Sequence, residues 1–301
     1  MPAFFMLSGF LTASKISTAR TAKSRANLIK NRFLRLIVPY LFFTAVSYVL
    51  KFFLEEYAYN ELEKNPLNIL VNVVLGLNNP NGGIWFLYTL FMISVIFTIV
   101  NFIPDWALFV IFLGLKIATF FTDYTLPVVT SVCLYGVFFS TGILFSKSYN
   151  KLSGKFINRL KFEKKIIIFV ITALLFVTSL PLTYLLMMHK QDYFQKIFAF
   201  TVCIFNIITW YFIAQSIDCI SSLKKVFMAV GDYGMDIYMI GYYVQITIRV
   251  ICASMLGIPY AIYSILLFVL GLVVPIPISK YIVRKVPLFR KLVLGDFSKK
   301  E

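Results

Sequence analysis

The chain has 301 residues, of which 60% are apolar, 18% are aromatic and only 14% are charged, and its formal net charge is +16. Such a composition lies outside the range of soluble globular domains and indicates a polytopic membrane protein. The Lys and Arg residues lie in short runs between long apolar segments, so the positive charge indicates membrane topology and argues against a nucleic-acid partner.

The first apolar segment begins MPAFFMLSGF and is short. It runs from Pro2 to Ala13, whereas a helix that crosses a bilayer needs about 20 residues. A secretory signal would begin with basic residues, but the first lysine, Lys15, lies downstream of the apolar part. The segment is therefore predicted to belong to a longer membrane element.

Eight longer apolar segments follow, and with the first they predict an all-α, polytopic membrane helix bundle of about nine membrane segments. They lie near 34–54, 84–103, 105–121, 125–145, 166–188, 196–217, 233–256 and 260–283. No internal repeat or soluble domain is visible, so residues 1–301 are predicted to form one transmembrane domain with a basic tail at 284–301. The four cysteines lie singly in or beside apolar stretches and are interpreted as packing residues, and no metal site is expected.

The distribution of charge predicts the orientation. The connection at 14–35 carries seven basic residues and no acid, which places it in the cytoplasm by the positive-inside rule. Alternation from there puts the basic loop 146–165, the turn at 224–225 and the tail on the same side, while 55–63 carries four glutamates on the other. We therefore predict a multi-pass plasma-membrane protein whose basic loops and C-terminus face the cytoplasm.

Two places leave the span count open. The stretch 66–77 is apolar but short and is followed by Asn78-Asn79-Pro80, so an outer-face or re-entrant helix is favoured over a span. Only Pro104 separates two apolar segments, and a tight hairpin is favoured there because one bent helix would move every later loop to the other side.

Ionisable residues inside apolar segments are the first places to look for function, because charge in a bilayer is costly. Asp232 and Asp236 lie at the predicted start of a span and are interpreted as solvated helix ends. Arg249 lies far along the same segment, one turn after Gln245. It is interpreted either as a side chain that reaches the outer surface or as the lining of an outer cavity.

The densest signal is NRFLRLIVPYLFF, in which Arg32 and Arg35 are three residues apart. At this spacing both guanidinium groups lie on one helix face, and such paired forks of donors suit phosphate. The alternative is that both are ordinary cytoplasmic charges. The single histidine, His189, is interpreted as a loop residue, with a role as general base as the alternative. Trp85 is interpreted as either an interfacial anchor or a cavity wall.

Several motifs in order resemble the acyltransferase-3 family of integral membrane O-acyltransferases, over essentially the whole chain. The opening Met-Pro is similar to the fucose 4-O-acetylase-like branch. The matching stretches are FFMLSGFL, Arg32-Phe33-Leu34-Arg35 with Pro39, Trp85-Phe86-Leu87, YGVFFSTGILFSK and GDYGMDIYMIGYYVQ. The family has ten helices, so the resemblance implies that the first is missing and that the proposed catalytic histidine lies upstream of Met1. A further departure is Gly241, which stands where many relatives have a histidine.

The resemblance implies transfer of an acyl group, which we expect to be acetyl, from cytoplasmic acyl-CoA to a hydroxyl of a surface or exported polysaccharide. Acyl-CoA is a co-substrate, and no bound cofactor is expected. Arg32 and Arg35 would bind the donor, and Ser8, Trp85, Tyr238 and Arg249 are candidates for lining the cavity. Ser8 could instead serve helix packing together with Gly9, which is the favoured interpretation.

Two other functions stay open. A catalytically inactive remnant or binding subunit is favoured by Gly241 and by the implied missing helix. A transporter or flippase of a sugar or acyl carrier would call for inverted repeats with charges at the membrane midplane, and the sequence shows neither.

Overall fold

The computed structural model describes residues 1–53, 65–77, 82–121, 127–152, 193–218 and 221–297, together with isolated helical residues between 163 and 177. Within these residues all regular structure is helical, which confirms the predicted all-α class. The chain divides into two compact units. Unit 1 comprises Met1–Arg25 and Ile96–Lys225, and unit 2 comprises Ala26–Val95 and Val226–Glu301. That the two form one domain stays a prediction.

The described helices follow the predicted apolar segments. In chain order they are α1 (Pro2–Thr18), α2 (Ala22–Phe53), α3 (Pro66–Leu75), α4 (Trp85–Ile99), α5 (Asp105–Phe121), α6 (Pro127–Leu152), α7 (Tyr193–Asp218), α8 (Ser221–Gly231), α9 (Gly234–Arg249), α10 (Tyr260–Val273), α11 (Pro275–Ile278) and α12 (Pro287–Leu294). Short π-helical segments extend α9 over Val250–Met255 and α11 over Ser279–Val283. The segment predicted at 166–188 lies almost entirely outside the described residues.

The helices present apolar side chains outward as well as inward. On α1, Phe4, Leu7 and Leu11 are exposed by 54% to 64%, while Phe5 and Ile16 on the other face are buried. A soluble helix would be polar on its outer face, so this arrangement suits a lipid surrounding. Among the described residues, three helices are long and apolar enough to cross a bilayer, and they are Ala22–Phe53, Pro127–Ser148 and Ile262–Val283.

The break predicted at Pro104 is present. Helix α4 ends at Ile99 and α5 begins at Asp105, with the Pro104 carbonyl accepting the backbone N–H groups of Ala107 and Leu108 at 2.9 and 3.1 Å. Because proline lacks an N–H and restricts the residue before it, the chain turns here and begins a new helix. The two segments are therefore separate helices, as predicted.

In unit 1, α1 and α6 approach each other through two glycines. A Cβ atom added to Gly9 would lie 2.1 Å from the carbonyl oxygen of Phe139, and one added to Gly142 would lie 2.0 Å from that of Met6. Real Cβ atoms do not come so close, so the two backbones touch only because both side chains are absent. Small residues at such contacts are typical of membrane helices, which gain van der Waals contact by close approach.

In unit 2, the short helix α3 is held by two tyrosines. The Tyr40 hydroxyl donates to the Val73 carbonyl at 3.0 Å, and the Tyr88 hydroxyl donates to the Val74 carbonyl at 2.6 Å. These carbonyls belong to the last turn of α3, where no backbone N–H is available within the helix. At ten residues α3 is about 15 Å long, half of a bilayer core, which confirms that it is not a span.

Candidate functional site

The arginine pair lies near one end of the longest described helix, α2. This helix has 32 residues, and the part from Leu36 to Phe53 measures about 27 Å, close to the roughly 30 Å of a bilayer core. Arg32 and Arg35 precede this part of the helix, so we expect them at the membrane edge, where guanidinium groups can meet water-borne phosphate. Arg32 is half-buried and Arg35 is exposed. The pair thus places two positive charges, one of them partly shielded from solvent, on one face of the helix.

The C-terminal end of the chain packs directly against this pair. Gly295 follows the last residue of helix α12 and caps it, and its φ of 60° is in the left-handed region that favours glycine. A Cβ atom here would lie 2.2 Å from the Leu34 carbonyl oxygen and 2.5 Å from the Arg35 Cα. The tail predicted at 284–301 is thus partly helical, and it supports the backbone from which Arg35 projects. Its placement in the cytoplasm stays a prediction.

A second charged cluster lies at the start of α9. Asp236 is only 1% exposed, and its Oδ2 accepts a hydrogen bond from Nη2 of Arg284 at 2.8 Å. The same Arg284 donates to the Asp232 carbonyl at 2.6 Å and from Nε to the Ser279 hydroxyl at 3.2 Å, and its guanidinium stacks 4.1 Å from the Tyr233 ring centre. The interpretation of Asp236 as a solvated helix end is therefore wrong, because burial requires that its charge be paired.

The π-helical segment Ser279–Val283 accounts for where Arg284 points. Its wider turn carries the chain from α11 to Arg284, whose backbone N–H bonds back to the Ser279 carbonyl at 2.9 Å. Ser279 is fully buried, and its hydroxyl then orients the guanidinium. Among the described residues, Oδ1 of Asp236 has no hydrogen-bond partner, so one face of the carboxylate is unused by the fold. An acid inside an apolar segment was the sequence signal for this cluster.

Tyr238 and Gly241 lie one turn apart on α9 and have structural partners. The Tyr238 hydroxyl donates to the Gly83 carbonyl, and its ring packs edge-on against Phe86 at 5.7 Å. A Cβ atom at Gly241 would lie 2.8 Å from the Gly271 carbonyl oxygen of α10. The position at which the resemblance implies a histidine is here a close contact between two helices. A cavity-lining role for Tyr238 stays a prediction.

The other candidate residues lie far from the arginine pair in sequence. Their roles in a cavity or in catalysis stay predictions. Ser8 is half-buried on α1, beside the close contact at Gly9, and its carbonyl accepts the Thr12 hydroxyl at 2.5 Å. Trp85 is the half-buried first residue of α4, and Arg249 is the exposed last residue of α9. His189 lies outside the described residues.

Fold and composition together define an integral membrane protein built from apolar helices, with a cationic pair at one helix end. The acyltransferase-3 family model, described as an acyltransferase domain, matches residues 1–283. The chain belongs to this family, which confirms at family level the resemblance seen in its motifs. No curated protein and no solved structure matches the chain. The fucose 4-O-acetylase-like branch and the implied first helix stay predictions.

Proposed function

We propose that the chain is a membrane O-acyltransferase that transfers an acetyl group from acetyl-CoA to a hydroxyl of a surface or exported polysaccharide. The observation that carries this proposal, beyond family membership, is the Arg32 and Arg35 pair at the edge of α2 with the C-terminal segment packed behind it. The branch resemblance supports the glycan as acceptor. The acetyl group is the acyl group associated with that branch.

The arginine pair suits the phosphate groups of the donor. Each guanidinium offers a planar fork of N–H donors, remains charged at any physiological pH and binds phosphate through two hydrogen bonds. Two such groups on one helix face can engage neighbouring phosphates of one CoA molecule. The backbone of Arg35 packs against Gly295, so the point from which its side chain projects is fixed before the ligand arrives.

The proposed reaction transfers the acyl group from the thioester sulfur of CoA to the hydroxyl oxygen of the acceptor. The acceptor hydroxyl oxygen attacks the thioester carbonyl carbon, the new C–O bond forms, the C–S bond breaks, and CoA leaves as a thiolate that takes up a proton. An alcohol is a weak nucleophile until a base accepts its proton. The family resemblance implies that this base is a histidine.

The proposed orientation places the donor in the cytoplasm and the acceptor outside. It rests on the basic connection 14–35, which carries the arginine pair, and on the acidic stretch 55–63. Reporter fusions at Lys155 and Glu61, both outside the described residues, should report opposite sides of the membrane. Fusions that report the same side would overturn the orientation.

Three single variants on helix α2 test the donor site. Arg32→Ala and Arg35→Ala, each in the purified protein, should weaken acetyl-CoA binding about tenfold or more, as expected for loss of a charged hydrogen bond. Lys30→Ala removes the same charge from the same helix, but its position two residues before Arg32 places it on another face, so binding should stay within about twofold. If all three variants bind like the wild type, the arginine pair is not the donor site.

A second candidate, a catalytically inactive binding subunit, is favoured by Gly241. This position carries no group that could exchange a proton, and the α10 backbone occupies the space that a side chain would need. The same preparation distinguishes the two functions. Acetyl-CoA binding with transfer of label to polysaccharide supports the enzyme, whereas binding without transfer supports the subunit.

A further inference from the structure

Unit 1 contains a cavity of about 400 Å³ that the candidate site does not include. It lies where the end of α1, the start of α2, the turn between α4 and α5, and the end of α6 come together. Its floor is apolar and includes Phe97 and Leu108. Its polar lining consists of Ser17, Arg20, Arg25, Asn101, Asp105 and Lys147. The volume falls in the range of about 300 to 1,000 Å³ that is typical of small-molecule sites.

The polar lining favours an anion. Three of its side chains are cationic and one is a carboxylate, which leaves an excess of positive charge. The carboxylate, Asp105, is already paired with the Lys147 ammonium. Arg20 is exposed in the turn between α1 and α2, and its guanidinium makes no hydrogen bond or ion pair within the described part of the chain. The Arg20 guanidinium is thus available to bind an anion in the cavity through two hydrogen bonds.

The negative end of α1 opposes an anion less here, because the carbonyl groups of Ile16 and Ala19 at this end accept hydrogen bonds from side chains. Nδ2 of Asn101 donates to the carbonyls of Ile16 and Ala19 at 3.3 and 2.8 Å. Nε of Arg25 donates to the same Ala19 carbonyl at 3.2 Å. These bonds cover the partial negative charge of the helix terminus and fix Arg25 at the cavity wall. They leave its terminal guanidinium nitrogens for other partners.

We propose that this cavity is a phosphate-binding site, which accepts the phosphate of a nucleotide or of an anionic lipid headgroup. Both sources carry the same chemistry, and both reach a cavity lined by the basic end of a membrane helix. In its nucleotide form the inference rests on the proposed function, since the nucleotide would be the end of the acyl donor. The lining residues all belong to unit 1, whereas Arg32 and Arg35 belong to unit 2, so the two sites share no residue.

The charges of the lining give a test in which two variants act in opposite directions. Arg20→Gln removes the uncommitted guanidinium and should weaken phosphate binding about fivefold. Asp105→Asn removes the competing carboxylate and frees Lys147, so it should strengthen binding by a similar factor. Lys15→Gln is the control, because it removes an exposed charge from the last turn of α1 and Lys15 does not line the cavity.

Binding is measured on the purified chain in lipid nanodiscs, without turnover. In the first arm the lipid is phosphatidylcholine alone, and the probe is 3′,5′-ADP, the nucleotide end of CoA. In the second arm phosphatidylglycerol is added, and lipid retained by the protein is measured by native mass spectrometry. Affinity in the order Asp105→Asn, wild type, Arg20→Gln in the first arm assigns a nucleotide, and the same order in the second arm alone assigns a lipid.

Failure of this inference is distinguishable from failure of the proposed function. If neither arm shows the order, or if Lys15→Gln weakens binding as much as Arg20→Gln, the cavity is not a phosphate site. That result leaves the Arg32 and Arg35 experiment untouched. Conversely, a chain that transfers no acetyl group but shows the order in the lipid arm retains the cavity site and loses the proposed activity.

Discussion

Nη2 of Arg284 lies 2.8 Å from Oδ2 of Asp236 and joins the π-helical segment after α11 to the first turn of α9. The carboxylate is almost fully buried, whereas the arginine side chain is 37% exposed. Removing the arginine therefore leaves a buried charge without its counter-ion. Removing the carboxylate leaves a cation that water can still reach.

This asymmetry predicts unequal costs for the two single variants. Arg284→Ala should destabilise the protein by about 2 to 4 kcal/mol, and Asp236→Asn by less, because Asn keeps an acceptor for the guanidinium. Thermal unfolding in detergent measures both, with Lys291→Ala as an exposed control on α12. The pair would be a minor contact if Arg284→Ala unfolded at the same temperature as the control.

The contact between Gly295 and α2 predicts a difference between two glycines with similar backbones. Gly295 and Gly257 have φ values of 60° and 62°, so alanine costs about 1 to 2 kcal/mol of backbone strain at either position. Only at Gly295 would the new Cβ meet other backbone, that of Leu34 and Arg35, whereas nothing lies within 4 Å at Gly257. Gly295→Ala should release the C-terminal segment to proteolysis and weaken acetyl-CoA binding, and Gly257→Ala should do neither. Equal cleavage of both variants would contradict the packing of the tail.

The contact between α1 and α6 predicts that the glycines there do not tolerate a methyl group. Gly9→Ala and Gly142→Ala each force the helices apart and should cost about 1 to 3 kcal/mol. Gly114 in α5 has nothing within 4 Å, so Gly114→Ala should instead stabilise its helix by up to about 1 kcal/mol. Thermal unfolding of the three variants should give shifts of opposite sign. Shifts of the same sign would show that the helices are free to separate.

The environment of Gly241 predicts the outcome of introducing the histidine that the family resemblance implies at this position. Gly241→His places an imidazole where the Gly271 carbonyl would be 2.8 Å from its Cβ, so α9 and α10 must separate. We expect a lower unfolding temperature and no gain in acetyl transfer. Gly231→His, at an open position at the end of α8, is the matched control and should unfold like the wild type. A folded Gly241→His variant with higher activity would show that this position takes part in catalysis.

Helix positions could be predicted from the sequence because length and hydropathy decide them. The break at Pro104 and the short helix α3 followed from proline chemistry and from length. The motifs that carry the family resemblance were also visible in the sequence. Among them is the arginine pair, which α2 places on one helix face, as the spacing of three residues predicts.

The partners of these helices could not be predicted, for a physical reason. In lipid both faces of a helix are apolar, so the pattern of residues does not show which face is buried, as the exposed Phe4 and buried Phe5 of α1 illustrate. The pairing of Asp236 with Arg284, which lie 48 residues apart, depends on that missing information. So does the cavity beside Arg20, whose basic residues were all accounted for by topology.

The tyrosine contacts to α3 have a consequence for solvation. A helix that stops partway would leave bare carbonyls, which in hydrocarbon cost several kcal/mol each unless water follows them in. The hydroxyl groups of Tyr40 and Tyr88 donate hydrogen bonds to two of these carbonyls from within the protein. Two carbonyl groups at the end of α3, those of Val73 and Val74, therefore need no water molecule as a hydrogen-bond partner, whether this helix end lies at the membrane surface or below it.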